Sequence, residues 1–276
     1  MTSRPENQEF WRGSRNWSPS PAIRASFLAH GAGATLLALA PQLWPQVLGA
    51  LALNHGALMC GMHPRSALLG RNLVRLPGER EGRVALTFDD GPHPGITPRI
   101  LDVLDAFGAK ASFFVIGRRA AQHPALLREI LRRGHGVENH THRHLPSFAC
   151  LGPVGQWREL REAQDAIADA SGHTPRYFRA PYGLHSPLLD PALAATELGL
   201  VSWTRRGLDT LRARPEKVLA RLTDGLAQGD ILLLHDGVTS ALDAEGRPIV
   251  LEVLPALLRR IAALGLTAAA LPPPAG

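Results

Sequence analysis

Cysteine, tyrosine and methionine are nearly missing from this chain. Its 276 residues hold two, two and three of them, and aromatic residues amount to only 5%. The two cysteines, Cys60 and Cys150, stand far apart and form no Cys-x-x-Cys pair. A cysteine-built metal site is thereby excluded, and a disulfide between them is not expected. So few aromatics leave no strong stacking platform for a long polymer. The net charge of +6 and the pI near 10.3 come from scattered arginines. There is no dense basic run and no nucleic-acid motif, so nucleic acid is not an expected partner. No internal repeat is present, and residues 1–22 are too long and polar for the start of an ordinary cleaved signal peptide.

Charge is also missing locally. No Lys, Arg, Asp or Glu occurs between Arg24 and Arg65. Pro41 and Pro45 divide this stretch into two apolar pieces, Ser26 to Ala40 and Gln46 to Met62. A membrane-spanning helix needs about 20 apolar residues. The first piece is short for that, and the second contains Asn54 and His55, which are costly in lipid. A tight membrane hairpin, one short anchor, and helices lying on the membrane or on the domain all fit. Membrane association through residues 23–64 is the expectation, with arginines on both flanks placing both ends on the cytoplasmic face. His30 and His55 read as helix-interface residues. The chain then divides into a polar mobile tail (1–22), an apolar helical segment (23–64), a linker (65–82) and a folded domain (83–276).

An apolar content of 45% supports a real core in that domain. Arg83 to Leu86, Ala111 to Ile116, Val137 to His140, Tyr177 to Arg179, Leu200 to Trp203, Asp230 to His235 and Leu266 to Leu271 read as strands. Helical spacing appears in Thr97 to Phe107, Pro124 to Leu131, Trp157 to Ala170, Pro187 to Leu198, Pro215 to Leu226 and Val250 to Leu264. Strands apolar on both faces, separated by helices, imply a parallel sheet, either doubly wound or closed as a barrel.

Polar residues recur where these strands end. Asp89-Asp90-Gly91-Pro92 follows the first, and His140-Thr141-His142-Arg143-His144 follows the third. Arg179-Ala180-Pro181-Tyr182, Trp203 with Asp209 beyond it, and His235-Asp236 follow later ones. Each alone has a bland reading; Asp-Asp-Gly-Pro, for instance, is a common turn. In a parallel α/β fold, however, the carboxyl ends of the strands converge on one mouth. Two adjacent carboxylates are costly unless a cation shares them or one stays protonated. His140 and His144 would share one side of a helical turn, whereas His140 with His142 would suit an extended strand. One carboxylate and two histidines make a facial triad for a divalent metal, leaving positions for water and substrate. The second carboxylate can accept a proton and a histidine across the site can donate one, which is the equipment for amide or ester hydrolysis.

Four ordered motifs resemble those of the polysaccharide deacetylase family, the NodB-homology group or carbohydrate esterase family 4. They are Thr87-Phe88-Asp89-Asp90-Gly91-Pro92, His140-Thr141-x-x-His144, Arg179-x-Pro181-Tyr182 and Leu233-x-His235-Asp236, within a match over residues 83–271. The resemblance implies a distorted (β/α) barrel and removal of acetyl groups from N-acetylated sugars, as glycans or lipid-linked saccharides. It implies a divalent metal, zinc first and cobalt or nickel as alternatives, held by Asp90, His140 and His144. It makes Asp89 the general base oriented by Arg179, and His235 the general acid tuned by Asp209. Tyr182 would offer its backbone N–H to the oxyanion beside Pro181, and Trp203 and Leu233 would line the acetyl pocket. Asp209 is followed by Thr210 where many members carry an Asp-Trp pair, and His142 reads as a bystander. Another small acyl group, a non-sugar amide, or a glycan-binding protein with a vestigial site are the competing readings. His93, His123, His135, His173 and His185 read as solvent-facing or loop residues, and Asp236 as peripheral to the metal or a cap of the next turn.

Overall fold

The computed structural model describes all residues except 1–7, 9, 15–16, 78–81, 212–213, 238–239, 244–245 and 275–276. The expected tail falls partly outside these. Within it, Phe10 is fully buried, beside Trp157 in a core cluster that also holds Phe148 and Leu193.

The charge-free stretch forms two helices, α1 (Pro21–Leu39) and α2 (Trp44–Gly61), which pack on each other as a hairpin. A few polar side chains meet where the two helices touch. Asn54 Nδ2 donates to Ser26 Oγ at 3.0 Å, and the His30 and His55 rings meet edge to face at 5.2 Å. Outward lie Phe27, Leu28, Leu39, Trp44, Leu53 and Met59, all exposed. By length and composition α1, with mean hydropathy 1.3, is able to cross a membrane. The following stretch, expected as a linker, packs on the domain instead. Leu73 N–H donates to Leu200 O, Ser202 N–H donates to Leu73 O, and Leu69 and Leu76 are buried.

From Arg83 strands and helices alternate: β1 (Arg83–Gly91), α3 (Thr97–Ala106), β2 (Ser112–Val115), α4 (Gly117–Gln122), α5 (Pro124–Arg132), β3 (Gly136–Asn139), α6 (Pro153–Ser171) and β4 (Tyr177–Phe178). There follow α7 (Asp190–Thr196), β5 (Gly199–Leu200), β6 (Arg205–Arg206), α8 (Pro215–Thr223), β7 (Ile231–His235), α9 (Ile249–Ala263) and β8 (Thr267–Ala269). All pairings are parallel, in the order β5-β4-β3-β2-β1-β7-β6, with β8 on β1. Laid flat, β5 and β6 would lie six strand spacings apart, roughly 29 Å. Yet only residues 201–204 separate them in sequence, a reach of at most roughly 18 Å. The sheet must therefore curl, and the expected distorted barrel results.

Strand alternation sorts the core into two layers. Val84, Leu86, Phe88, Phe113, Val115, Leu232 and Leu234 face outward onto Ile100, Leu101, Leu104 and the apolar face of α9. Ala85, Phe114, Tyr177, Ile231, Leu233 and Trp203 fill the barrel interior. The expected strand 200–203 is only Gly199–Leu200 long. Helix α6 begins at Pro153, four residues before the expected Trp157, because proline suits the first helical turn. It ends at Gly172, whose φ of 72° closes it in the left-handed conformation.

Candidate active site

Strand parity decides which side chains enter the barrel mouth. Ala85, Thr87 and Asp89 share the interior face of β1, and Ile231, Leu233 and His235 share that of β7. The two strands pair with Asp89 opposite His235, so a carboxylate and an imidazole arrive side by side.

Asp90 should by the same parity point outward. It does not, because the β1–β2 register shifts between Asp89 and Gly91 and Asp90 takes φ 74°. This bulge turns two consecutive carboxylates into one mouth. The Arg119 guanidinium holds the Asp90 carbonyl. A Cβ on Gly237 would lie only 2.5 Å from Asp90 Cβ, so the bulge needs a glycine there.

Of the two conformations left open for His140–His144, helical turn and extended strand, neither forms. The segment is a tight loop in which Thr141 (φ 65°) and His144 (φ 54°) are left-handed. Asn139 Oδ1 accepts the Thr141 N–H at 2.9 Å, and Thr141 Oγ1 accepts the His144 N–H at 2.9 Å. These bonds bring both imidazoles to Asp90 Oδ1, with Nε2 distances of 3.4 Å for His140 and 3.2 Å for His144. His140 Nδ1 lies 2.8 Å from the Arg179 carbonyl, which needs an N–H there and leaves Nε2 as the ring atom turned toward Asp90. Burial, then the neighbouring His140, holds His144 down at about 4, which keeps it neutral. Burial acts to raise Asp90, but the hydrogen bond and charge of His140, then His235 and His144, leave it well below the usual carboxylate range. One carboxylate oxygen and two imidazole nitrogens thus lie within 4.8 Å of one another. That donor set fits a divalent metal of the zinc type.

Arg179 is buried, with 1% of its surface exposed. Its Nη1 donates to Asp89 Oδ1 at 2.7 Å and to Thr87 Oγ1 at 2.9 Å, and its Nη2 donates to Ser202 O at 3.0 Å. The guanidinium lies over the Phe114 ring at 4.1 Å. Asp209 is wholly buried behind His235, accepting its Nδ1–H at 2.9 Å and its backbone N–H at 2.8 Å. Burial acts to lower His235, but the charge and hydrogen bond of Asp209, then Asp89 and Asp90, hold it raised.

A cavity of about 340 Å³ is lined by Asp89, Asp90, His140, His144, Tyr182, Trp203, Leu233 and His235. Tyr182 sits half-exposed on its rim, in a left-handed turn (φ 58°), its ring 5.4 Å from that of His144. Pro181 is buried beneath this turn and does not line the cavity. His142 stays outside it as well. Asp236 lies behind the site, accepting the Thr97 hydroxyl at 2.6 Å, and burial pushes its carboxyl up to about 7. His135 and His185, expected at the surface, are buried instead; His135 Nδ1 accepts the Ala111 N–H at 3.2 Å. Arg206 and Thr210 line the cavity too. Nothing in the sequence marks Arg206 except its place three residues after Trp203.

Residues 77–203 match the polysaccharide deacetylase family model. A chitooligosaccharide deacetylase of Bradyrhizobium is 36% identical over 200 residues, 69% of this chain and 90% of that protein. A peptidoglycan-N-acetylglucosamine deacetylase of Listeria monocytogenes is 33% identical over 156 residues, 56% of this chain and 32% of that protein. Among solved structures, a family 4 carbohydrate esterase from Streptomyces lividans in complex with acetate superimposes with a TM-score of 0.61. It is 33% identical, over 68% of this chain and 92% of that one.

Proposed function

Because the chain belongs to the polysaccharide deacetylase family, we propose that it removes the acetyl group of an N-acetylated sugar with a divalent metal as cofactor. The observation that carries this reading is the grouping of three elements around one cavity. They are the Asp90–His140–His144 cluster, the Asp89–Arg179 pair and the His235–Asp209 pair.

Asp90, His140 and His144 would hold the metal, zinc before cobalt or nickel. Such an ion supplies Lewis acidity toward the acetyl carbonyl and toward a water molecule. Asp89 takes the proton of the attacking water, and Arg179 fixes the carboxylate facing the cavity. The backbone N–H of Tyr182, presented by its left-handed turn, faces the developing oxyanion. His235, kept protonated by Asp209, donates a proton to the departing sugar amine, so that the C–N bond breaks without releasing an amide anion. Trp203 and Leu233 enclose the acetyl methyl group. The catalytic domain is 83–276, and residues 23–64 associate it with a membrane, its ends on the cytoplasmic side.

The test is acetate release from a panel of N-acetylated sugars and glycans. The protein is stripped of metal and reloaded with zinc, cobalt or nickel, with Asp89→Asn as control. Metal-dependent release that Asp89→Asn abolishes is the expected result. Tight metal binding with no acetate from any substrate would refute the reading.

A further inference from the structure

The positive charge that is scattered in sequence is gathered by the fold. Beside the active-site cavity lies an open cleft of about 1320 Å³, whose walls carry Arg65, Arg75, Arg205, Arg206, Arg221 and Arg260. Only two carboxylates, Asp224 and Asp230, accompany them. Asp230 is buried and already shared, by Arg75 at 2.6 Å and Arg205 at 2.7 Å. Arg205 also donates to the carbonyls of Asp224 and Gly225. These contacts form the floor of the cleft. The other four arginines make no ion pair among the described residues. Arg206 has a buried Nε without a hydrogen-bond partner, and its guanidinium lies 5.5 Å from the centre of the Trp203 ring. Like charges confined in one recess repel unless an anion shares them.

Two features tie the cleft to its surroundings. Trp203 and Arg206 line both the cleft and the active-site cavity. His63, Pro64 and Arg65 line the cleft and directly follow the last turn of α2, so the foot of the apolar hairpin is a wall of the cleft. The Ser202 hydroxyl and Asn72 Nδ2 both donate to the Pro64 carbonyl and pin that foot in place.

We propose that the cleft binds a phosphate or diphosphate group of the substrate, and that this group joins the N-acetylated sugar to a lipid chain. The acetylated sugar occupies the cavity, the phosphate lies on Arg65, Arg206, Arg221 and Arg260, and the chain leaves along the hairpin. The proposal rests on the reading of the site as a sugar deacetylase. A neutral oligosaccharide offers the arginines hydroxyl and amide acceptors but no countercharge. A free sugar phosphate satisfies them but makes no use of the hairpin.

Binding is measured first, because it does not depend on turnover. The full-length, metal-loaded protein in detergent micelles is titrated calorimetrically with inorganic diphosphate, beside the Arg65→Gln/Arg260→Gln variant. Saturable binding that the variant weakens at least about tenfold is expected, since each lost charge-assisted hydrogen bond contributes substantially. Acetate release is then compared for three substrates: an N-acetylhexosamine diphosphate ester of a long-chain alcohol, the free N-acetylhexosamine 1-phosphate, and a neutral N-acetylated chitooligosaccharide. The lipid ester should have the highest kcat/KM. The variant should lower the ratio of lipid ester to neutral substrate at least about tenfold, mainly through KM. No diphosphate binding, or binding indifferent to the substitutions, overturns the proposal, as does an unchanged substrate ratio. A preference for the free phosphate over the lipid ester overturns the lipid assignment. Diphosphate binding weakened as expected, with no acetate from any substrate, upholds the anion site and refutes the deacetylase reading instead.

Discussion

Arg179→Met gives the sharpest test of how the site is held together. Arg179 presents one charged group to Asp89, the Thr87 hydroxyl and the Val201 and Ser202 carbonyls. Methionine keeps a flexible apolar stem against Phe114 but removes every one of those donors. The arginine and Asp89 are both buried, so the substitution leaves a desolvated carboxylate without its countercharge. Breaking such a pair from one side costs about 3–5 kcal/mol, which in a domain of this size lowers Tm by roughly 10 °C. Asp89→Asn strands the guanidinium in the same way. The double variant Arg179→Met/Asp89→Asn removes both charges together, so its cost is expected to fall short of the summed single costs by at least about 2 kcal/mol. Urea unfolding of the four proteins, followed by tryptophan fluorescence, completes the cycle. Because the His140 Nδ1–H donates to the main-chain carbonyl of Arg179, metal affinity should survive in the single arginine variant. Additivity within about 0.5 kcal/mol would show that the two groups do not act as a pair and would refute the reasoning.

Asp209→Asn removes the charge that holds His235 raised against the opposing effect of burial. The general acid then loses its proton at lower pH, so the basic limb of the kcat/KM profile should move to lower pH; an unmoved limb would rule out the pairing as the tuning device. His144→Ala should weaken zinc binding by more than about 100-fold in equilibrium dialysis, whereas unchanged affinity would place the metal elsewhere. Burial pushes Asp190, packed over Gly70, from 3.8 up to about 6. The folded state keeps this proton after the unfolded chain has lost it, so stability falls as pH rises from about 4 to 6 and stays lower above that, by up to about 3 kcal/mol. In Asp190→Asn that part of the slope should vanish from urea unfolding measured at pH 4.5 and pH 7, and an unaltered slope would assign it to another group.

Much of the fold was legible because its central strands are apolar on both faces. Ala111 to Ile116 and Ile231 to Leu234 can be buried only between two layers, and the structure places them there. Strands β4, β5 and β6 have two residues each, too few for any periodicity. In β6 those two are Arg205 and Arg206, which carry no strand signal at all. The packing of the 65–82 segment was hidden for another reason. Its apolar residues follow no regular period, and the partners of Leu73 and Leu76 come from distant segments, Val201 and Leu271 among them. The arginine cleft was illegible on the same ground, because its charges come from five separate segments.

The site itself shows where strand-end reasoning works and where it stops. Asp89, Leu233 and His235 follow from parity alone, since they continue interior faces already fixed by apolar neighbours. Asp90 and His144 do not, because each needs a left-handed residue that no sequence pattern announces. Six non-glycine residues in the described chain have positive φ. Asp90, Thr141, His144 and Tyr182 belong to the mouth of the barrel, and Leu208 immediately precedes Asp209. Only Glu197, which closes α7, is remote. Each such conformation costs of order 1–3 kcal/mol and persists only where its surroundings impose it. Here those surroundings are specific. Arg119 holds the Asp90 carbonyl, Asn139 holds the Thr141 N–H, and Thr141 in turn holds the His144 N–H. Strain concentrated at the mouth places two carboxylates and two imidazoles closer together than regular strands allow. Repulsion between the two carboxylates and the desolvation of the whole group then make a cation at this point a partner that relieves part of the cost.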